Sequence, residues 1–585
     1  MQTNRTWVRG LGGGGVMTAL LMLAAGQGAD SVGARMDPAI RGSRDGWRQS
    51  AHAHQAGPGA APRKPVSPTP GGPEFRSLDG TGNNLLNPRW GSAGSNYLRE
   101  ASGARYGDGL STPAGADRPG ARAVSNAVVD QGGLVTADER GLSTCVYEFG
   151  QFLDHDIGLA AGGFTEAFDI PVPAGDAWFD PAGTGTQRIW MDRSAFDPTT
   201  GMRTPRQQVN KVTSFIDGSQ IYGCDAARAA WLRSGTGGRL KVRTTPQGDM
   251  LPLNDGTQAN DDPLGNPPES LVVAGDTRAN EQPGLTCLHT VFVREHNLQA
   301  AALAARHPDW NDERLYQEAR RVVIAELQVI TYREFLPALM GAPLPPWRGY
   351  RPMVQPGLSN TFATAAYRNG HSMVGPDVGM VDERFVETGS LPLQAVFFNP
   401  AVIPSAGGVE AFLRYFATDP QQATDTRIVD PLRNFLFGPP GAGGFDLGAL
   451  NIQRGRDHGL PDYNTVRTDF GLPRVRRFEQ VSSNPDTARA LKDLYGSVDR
   501  MDAWVGMLAE DHVRGASLGP TNLAVLRDQF MRLRDGDRFW YQNGQFPRRQ
   551  LEQIEATRLS DIVARTTGIT GLQPNMFFAR GAAAP

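Results

Sequence analysis

The sequence contains very little cysteine. Its 585 residues include three, Cys145, Cys224 and Cys287, which excludes a dense disulfide framework, and the odd number leaves at least one thiol unpaired within the chain. No two of them have the spacing of zinc ligands. The three are therefore predicted to be buried apolar thiols, and stability is expected to come mainly from packing.

The chain also lacks an excess of charge of either sign. Its 58 Lys and Arg residues nearly balance 61 Asp and Glu residues, for a formal net charge of -3. This balance argues against nucleic acid or an anionic membrane surface as a partner and fits small or neutral substrates. With 39% hydrophobic and 20% charged residues, the composition is that of a globular protein with a large core.

Long hydrophobic runs are absent as well. The apolar run at residues 16–25 is about half of the ~20 residues that a membrane-spanning helix needs. It follows Arg5 and Arg9 and is followed by small residues, with a cleavage-like VGA at residues 32–34. This pattern favours a secretory signal peptide over a membrane anchor. Residues 1–34 are predicted to be that signal, and the mature protein is expected to be secreted or periplasmic, without a membrane span.

Residues 35–73 are rich in Gly, Ala and Pro. A stretch such as "QAGPGAAPRKPVSPTPGGP" cannot bury enough apolar surface to fold, so a disordered leader is predicted there. From residue 74 to about residue 580 the hydrophobic pattern is denser and no comparable linker interrupts it. This segment is predicted to be one large domain.

Helical periodicity dominates the predicted domain. After Asn311, a candidate N-cap, apolar residues recur with a period of 3.6 residues and predict a long core helix. Similar patterns predict helices at residues 144–159, 285–304, 407–417, 488–494, 522–533 and 549–564. Strand-like alternation is rare and short, so the fold is predicted to be mainly α.

Side chains that carry chemistry are concentrated in five segments. The first, "EFGQFLDHDIGL", places Gln151 and His155 on one face of a helix, with Asp154 and Asp156 to either side. An amide, an imidazole and two carboxylates are thus brought together. Taken alone, the Asp-His-Asp sequence is weak evidence for a site, and a solvated charged turn is the better interpretation.

The second segment, "VTSFIDGSQIYG", alternates Thr213, Phe215, Asp217 and Ser219. Hydroxyl, main-chain carbonyl and carboxylate oxygens at every second position suit calcium, which takes six to eight oxygen ligands. A polar strand edge or turn explains the pattern equally well. A calcium site also needs another carboxylate from elsewhere in the chain.

The third segment, "AGDTRANEQPGLTC", places Arg278 and Glu281 just before a predicted helix. An arginine in a pocket supplies a fixed positive charge and a fork of hydrogen-bond donors. A surface ion pair is the more usual role of such residues.

The last two segments combine a histidine with polar partners. "TAAYRNGHSMVG" places Arg368 three residues before His371, and "GALNIQRGRDHGLPDYN" places Asn451 and Arg454 one helical turn apart. An Asn side-chain oxygen is a suitable acceptor for the second nitrogen of an iron-bound imidazole. Each of these residues also admits a purely structural role.

Taken in this order, the five segments resemble the animal haem peroxidase family. The resemblance extends from "FRSLDGTGNNLLNPRWG" at Phe75, through "DERLYQEAR", to "VGMLAEDHV" and "RLRDGDRFWYQN", and so covers nearly the whole predicted domain. It implies a single large, mainly α haem peroxidase domain with few short strands. It also implies haem b as cofactor, hydrogen peroxide as oxidant, and oxidation of small donors such as halides, thiocyanate or phenols through a ferryl intermediate.

The resemblance also implies individual roles. His155 corresponds to the distal base, Arg278 to its partner and Gln151 to the amide of the halide pocket. His371 corresponds to the proximal iron ligand, and Asn451 to the acceptor for that ligand's other nitrogen. The remaining matches are with residues that meet the haem propionates (Arg368 and Arg454), with carboxylates that form ester bonds to the haem (Asp154 and Glu281) and with the calcium site (Asp156, Thr213, Phe215, Asp217 and Ser219).

Two positions depart from the family pattern. Gly82 stands where related sequences have a cysteine, so the disulfides of the family are not expected here. Gln282 stands where one branch has a haem-linked methionine. Its amide cannot form the sulfonium link, which weakens the expectation that chloride is oxidised.

Two other functions are compatible with the same resemblance. A fatty-acid oxygenase of the related cyclooxygenase and α-dioxygenase branch needs a radical-forming tyrosine, which in cyclooxygenases lies three residues before the proximal histidine. That position is Arg368 here, and Tyr367 lies one residue further away. An adhesion or matrix-binding protein on a peroxidase scaffold is the second alternative. The presence of His155, Arg278 and His371 argues against an inactive enzyme, but not against a second role.

Overall fold

The long helix predicted after Asn311 spans Asp312–Ile330 in the computed structural model, which describes residues 74–582. The Asn311 side chain caps this helix by accepting a hydrogen bond from the backbone N–H of Arg314, at 2.9 Å. The predicted signal peptide (1–34) and leader (35–73) lie outside the described residues, so both stay predictions.

The fold is mainly α, as predicted. Nineteen α-helices lie within residues 74–582, and we number them in chain order. They are α1 Ala121–Val124, α2 Cys145–Ile157, α3 Ser219–Tyr222, α4 Ala226–Leu232, α5 Pro283–Arg306, α6 Asp312–Ile330, α7 Leu336–Met340, α8 Asn360–Thr364, α9 Gly370–Met373, α10 Val402–Ser405, α11 Val409–Thr418, α12 Asp430–Arg433, α13 Leu447–Asp457, α14 Tyr463–Asp469, α15 Pro485–Tyr495, α16 Ala503–Ala509, α17 Pro520–Asp535, α18 Arg548–Ala556 and α19 Leu559–Thr567. Two π-helical segments, at Ser125–Val129 and Thr331–Phe335, and five 3₁₀ turns, at Pro268–Ser270, Ala366–Asn369, Leu393–Ala395, Phe478–Gln480 and Val498–Arg500, complete the helical structure of the described part.

Strands are few and short, as predicted. They are β1 Gly162–Ala167, β2 Ile170–Pro171, β3 Arg188–Ile189, β4 Asp192–Ser194, β5 Arg243–Thr245, β6 Gly248–Met250, β7 Asp377–Val381 and β8 Glu387–Pro392. They form four antiparallel ribbons of two strands each: β1 with β4, β2 with β3, β5 with β6 and β7 with β8. Such small ribbons do not build a core of their own, so the core is made by the helices.

Most predicted helices are present, with ends shifted by a few residues. The exception is the segment predicted as one helix at residues 549–564, which is two helices, α18 and α19. The chain is extended at Thr557, and the buried Glu334 carboxylate accepts a hydrogen bond from the backbone N–H of Leu559 at 2.8 Å. A partner distant in sequence thus caps a new helix where the periodicity continues without a break.

The core is organised around α2 and α5. The Phe152 ring of α2 stacks on the Phe292 ring of α5, with centroids 5.1 Å apart, and meets the His289 ring edge-on at 4.9 Å. The first half of α5 is buried on every side, which is typical of a helix that crosses the middle of a large core. This packing fixes α2, and α2 carries the first chemical segment.

The three cysteines are all free thiols. Cys145 and Cys287 are buried, as predicted. Cys224 is only partly buried, and its Sγ points to the Lys211 carbonyl oxygen at 3.7 Å, so the prediction of a buried apolar thiol is wrong there. Within residues 74–582, no helix is both long and apolar enough to cross a membrane.

Candidate active site

An internal cavity of about 340 Å³ lies between α2, the start of α5 and the segment around α9. Its walls are largely apolar. The cavity brings together seven residues that the sequence analysis singled out, namely Gln151, Asp154, His155, Arg278, Glu281, Arg368 and His371. These residues come from three segments, 151–155, 278–281 and 368–371, separated by roughly 90 to 120 positions, so only the tertiary fold makes them neighbours.

Helix α2 positions the first three of these side chains. Phe152 and Leu153 are fully buried in the core, whereas Gln151, Asp154 and His155 line the cavity. This division follows from the helical period, because residues three and four apart share a face.

His155 is buried, with 3% of its side chain accessible. Its Nδ1 lies 3.6 Å from Oδ1 of Asp276, and its Nε2 lies 3.6 Å from Oε2 of Glu281. Burial lowers the pKa of His155 well below its usual value, and the positive charge of Arg278 lowers it further. The ring is therefore neutral at physiological pH and able to accept a proton.

Arg278 is held in place by Asp276. Its Nε and one terminal nitrogen each donate to the Asp276 carboxylate at 2.8 Å, and the same terminal nitrogen also donates to the Gly158 carbonyl oxygen at 3.0 Å. Burial alone lowers an arginine pKa, but the Asp276 carboxylate outweighs burial and raises the pKa of Arg278. The other terminal nitrogen lies 3.7 Å from Asp154. Arg278 is thus a fixed cation beside the His155 ring.

Asp276 was missed by the sequence analysis. Although burial opposes ionisation, Arg278 and then His155 hold the pKa of Asp276 well below its usual range. Its Oδ1 also accepts a hydrogen bond from the backbone N–H of Arg278 at 2.8 Å, which is the pattern of an Asp-initiated turn. The one available signal was its position two residues before Arg278.

A network of amides and carboxyls lines the cavity beside His155. The Gln151 side chain donates to Oε2 of Glu281 at 2.8 Å. The Gln282 side chain donates both to Oε1 of Gln151, at 3.2 Å, and to Oε2 of Glu148, and its Oε1 caps α5 by accepting from the Gly284 N–H. In the sequence, Gln282 is recognisable only as a departure from the family pattern, and no motif marks Glu148.

His371 lies in α9 and is joined to Asn451 of α13. The distance between Nδ1 of His371 and Nδ2 of Asn451 is 2.7 Å, and Oδ1 of Asn451 accepts a hydrogen bond from Arg368 at 2.8 Å. The predicted pairing is present, but the amide faces the other way from the predicted acceptor arrangement, because Arg368 takes its oxygen. Burial, and then Arg368, lower the pKa of His371 to about 3, so its ring is neutral.

Arg368 and Arg454 differ in their surroundings. Within residues 74–582, Arg368 forms no ion pair with a carboxylate, and burial and then the neighbouring Arg454 lower its pKa to about 10. Arg454 pairs with Asp457 at 2.8 Å and also donates to Ser194, and it lies beside the cavity and not in its lining. A partly buried cation without a carboxylate partner is suited to an anionic group of a ligand.

The family profile of the animal haem peroxidases matches residues 75–577. This chain belongs to the animal haem peroxidase family. It is similar to peroxinectin A of Dictyostelium discoideum, with 37% identity over 515 residues, which cover 86% of this chain and 96% of that protein.

Solved structures agree with this assignment. Peroxidase A from Dictyostelium discoideum shares the fold with a TM-score of 0.82 and 36% identity, covering 87% of this chain and all of that one. The fatty acid α-dioxygenase of Oryza sativa has a TM-score of 0.73 at 19% identity, covering 87% of each chain, and shows a common fold alone. The protein is thus a haem peroxidase, an oxidoreductase that uses hydrogen peroxide and small donors.

The cavity of this peroxidase fits a haem. Apolar walls, including Phe397, Leu436 and Phe437, suit the faces of a flat macrocycle, and the unpaired Arg368 suits a propionate. His371 is neutral, and because its Nδ1 contacts Asn451, Nε2 is the nitrogen available to iron. The observed donor set therefore agrees with the cofactor of the family.

The residues predicted to bind calcium form a second cluster, directly after His155. Asp156 accepts hydrogen bonds from the backbone N–H groups of Asp217 and Gly218, both at 3.1 Å, and of Ser219, at 2.6 Å. Thr213 donates to Oδ1 of Asp217 at 3.0 Å. Thr213 also contacts the carbonyl oxygen of Phe215, at 3.5 Å. All five predicted residues are therefore brought together, in a buried place.

Burial disfavours the charged forms of the two carboxyl groups in this cluster, although Arg76 and Arg320 partly offset this at Asp217. Burial, together with the nearby Asp217, raises the pKa of Asp156 well above its usual value, and burial raises that of Asp217 to about 6. Oδ2 of Asp217 is buried and has no hydrogen-bond partner. Nevertheless, the described part of the chain contains no group of three or more His, Cys, Asp or Glu side chains arranged to hold a metal ion.

Proposed function

We propose that this haem peroxidase carries out its reaction between His155 and His371, with His155 as the proton-transferring base and Arg278 as its fixed cationic partner. The observation that carries the proposal is the connection of these two groups through Asp276 in the cavity that also contains His371. A neutral imidazole beside a permanent positive charge is the combination that peroxide cleavage requires.

Bound through His371, haem supplies the redox-active iron at which peroxide is reduced. The residues of the chain handle protons and charge. His155 takes a proton from one peroxide oxygen and returns it to the other, which leaves as water. Arg278 stabilises the negative charge that develops on the leaving oxygen, and Asp276 keeps the guanidinium and the imidazole oriented.

The proximal residues act by positioning. Asn451 orients the His371 ring and so tunes the basicity of the iron ligand. To accept a hydrogen bond from His371, the Asn451 amide has to turn so that its oxygen, which now accepts from Arg368, faces the ring. Arg368 is then free to bind a haem propionate. Asp154 and Glu281 both line the cavity, which supports their assignment as the carboxylates that form ester bonds to haem b. The assignment of Arg454 to a propionate has weaker support, since Arg454 already pairs with Asp457.

Calcium binding is a further part of the proposal. Two buried carboxylates, a threonine, a serine and the Phe215 carbonyl supply the hard oxygen ligands that calcium prefers. A bound cation compensates the repulsion between Asp156 and Asp217 and holds α2 at the position that carries His155.

Secretion or periplasmic export is proposed from the pattern of residues 1–34, and terminal sequencing of the exported protein tests it. The physiological donor is assigned here only by class, as a halide, thiocyanate or a phenol. An adhesive second role stays a prediction. The oxygenase alternative is supported only by a shared fold, and its key tyrosine position is Arg368.

Rapid mixing of haem-loaded protein with peroxide tests the mechanism. His155→Ala is expected to slow the reaction by roughly 10²- to 10⁴-fold, as for loss of a positioned acid-base group, while the absorption spectrum still reports bound haem. His296→Gln is the matched control, since His296 is equally buried but lies outside the cavity, bonded to Gly238 and Tyr222. An unchanged rate for the His155 variant would remove this residue from the mechanism. Steady-state assays with iodide, bromide, thiocyanate and a phenol identify the donor class.

A further inference from the structure

Glu148 is a buried carboxyl in the wall of the active-site cavity that the mechanism does not use. It lies on α2, one turn before Gln151 and two turns before His155, and it is 1% exposed. Its Oε2 accepts a hydrogen bond from the Gln282 amide. A buried carboxyl that opens onto a donor-binding cavity is expected to influence which donors enter.

The start of α5 is shaped around this carboxyl. A Cβ atom placed on Gly284 would lie 2.3 to 2.4 Å from the carboxyl atoms of Glu148, so a side chain at position 284 would displace the carboxyl from its observed place. Glycine at this position therefore leaves the space that the Glu148 carboxyl occupies. The Glu148 carboxyl therefore has a defined position in the cavity wall, between Gly284 and the Gln282 amide.

Hydrogen bonds connect Glu148 to the catalytic residues. Gln282 bridges Glu148 to Gln151, and Gln151 in turn donates to Glu281, whose Oε2 lies 3.6 Å from Nε2 of His155. The family resemblance implies that Gln151 belongs to the halide pocket. Because Glu148 and Gln151 are one helical turn apart, their Cβ atoms are roughly 5–6 Å from each other. A charge on Glu148 therefore lies close to that pocket.

Few charged groups surround Glu148. The titratable groups that sense the charge of Glu148 are Cys145 and Tyr147 on α2, Cys287 on α5 and Tyr415 on α11. Asp154, His155, Arg278, Glu281 and His371 line other parts of the cavity. Burial raises the pKa values of the four thiols and phenols, so they are uncharged. Within residues 74–582, no arginine or lysine pairs with Glu148.

The carboxyl therefore changes charge within an accessible pH range. Burial raises the pKa of Glu148 to about 8, although the Gln282 hydrogen bond opposes this shift. The cavity wall gains negative charge as the pH increases through this range.

We propose that Glu148 determines donor selectivity by charge, an inference that rests on the peroxidase function proposed above. With the carboxyl protonated, an anionic donor such as iodide or thiocyanate binds beside Gln151. With the carboxyl ionised, the anion is repelled and neutral phenols are the better donors. The reactions concerned are I⁻ + H₂O₂ + H⁺ → HOI + H₂O and 2 ArOH + H₂O₂ → 2 ArO• + 2 H₂O.

The test compares kcat/KM for iodide and for a phenol in the haem-loaded parent and in Glu148→Gln, which keeps the size of the side chain. In the parent, the ratio of kcat/KM for iodide to kcat/KM for phenol is expected to fall as pH rises past about 8. The expected fall is roughly 10- to 100-fold, because the ionised Glu148 and the iodide are like charges roughly 5–6 Å apart in a partly buried site. In Glu148→Gln this fall is expected to be absent or much smaller. Glu334→Gln is the control, because Glu334 is a buried carboxyl whose pKa burial raises to about 7 but which lies outside the cavity lining.

Two readouts do not depend on turnover. The Kd of thiocyanate, from spectral titration of the haem protein, should rise with pH in the parent and stay nearly flat in Glu148→Gln. The infrared band of a protonated buried carboxyl should disappear in the same variant. Gln282→Leu removes the hydrogen bond that lowers the pKa of Glu148, so it should move the midpoint of the parent profile to higher pH.

The outcomes separate the two proposals. If the parent oxidises neither donor with peroxide, the proposed function fails. If phenol is oxidised, but parent and Glu148→Gln show the same pH dependence of thiocyanate binding and of the donor ratio, the selectivity inference alone is wrong.

Discussion

Replacing Asp276 with Asn removes one negative charge and keeps the size of the side chain. The parent carboxylate accepts two side-chain hydrogen bonds and one backbone hydrogen bond from Arg278, each of 2.8 Å, and lies 3.6 Å from His155. In the variant, the guanidinium keeps its charge, and Asp154, at 3.7 Å, is its remaining ion-pair partner among the described residues. The variant therefore contains a buried cation with a weaker partner.

The expected loss of stability follows from this geometry. Breaking a buried ion pair by removing one partner costs about 3–5 kcal/mol, and the nearby Asp154 places the expected value near the lower end, at about 3 kcal/mol. Because Asp276 also orients both catalytic groups, the reaction with peroxide should slow by roughly 10²-fold, the lower end of the effect of a positioned acid-base group. Thermal unfolding and stopped-flow mixing of the haem-loaded protein measure the two effects.

A double variant separates the two roles of Asp276. Asp276→Asn combined with Arg278→Gln leaves no unpaired cation, so most of the lost stability should return, whereas the peroxide rate should stay low. If Asp276→Asn alone matches the parent in both stability and rate, Asp276 does not organise the site. If the double variant is less stable than the single one, the reasoning about the unpaired charge is wrong.

Three further predictions concern the cofactor, the cation and pH. Asp156→Ala, or removal of calcium by chelation, should lower both thermal stability and the peroxide rate, because the cation site adjoins the distal helix; full activity of protein shown by metal analysis to lack calcium would contradict the site. After mild peroxide treatment, mass spectrometry of denatured protein should find haem attached through Asp154 and Glu281, with one link lost in Asp154→Asn and one in Glu281→Gln; haem that washes out of the parent quantitatively would rule out the esters. Burial raises the pKa of Glu334 to about 7. The stabilisation from its neutral carboxyl is therefore fully present below the unfolded pKa of about 4.5, and the free energy of unfolding decreases by about 3 kcal/mol as pH rises from there through 7. Glu334→Gln should flatten the dependence of the unfolding temperature on pH over this range, and an unaltered slope would count against the shift.

The periodicity of the sequence was sufficient to predict the helices that build the core, because burial on one face leaves a pattern in the chain itself. It failed at Thr557, where the pattern continues but the helix ends. The break depends on the Glu334 carboxylate, which caps Leu559 from more than two hundred residues away. No local pattern contains that information.

The chemical segments were predictable for a different reason. His155 and Arg278 lie in recognisable motifs, whereas Asp276 has the sequence environment of an ordinary turn residue, and its role depends on contact with a helix 120 residues earlier in the chain. The same holds for Glu148, whose importance depends on its contact with Gln282. Side chains that act through long-range contacts are visible only once the fold is known.

The close fit between Gly284 and Glu148 links these two positions during evolution. A lineage that acquires a larger residue at 284 displaces the Glu148 carboxyl from its place beside Gln282. Conversely, a glutamate gained at 148 in a protein that already carries a side chain at 284 has its carboxyl in a different position. An engineer who wishes to transfer the carboxyl to another member of the family must therefore move both residues together.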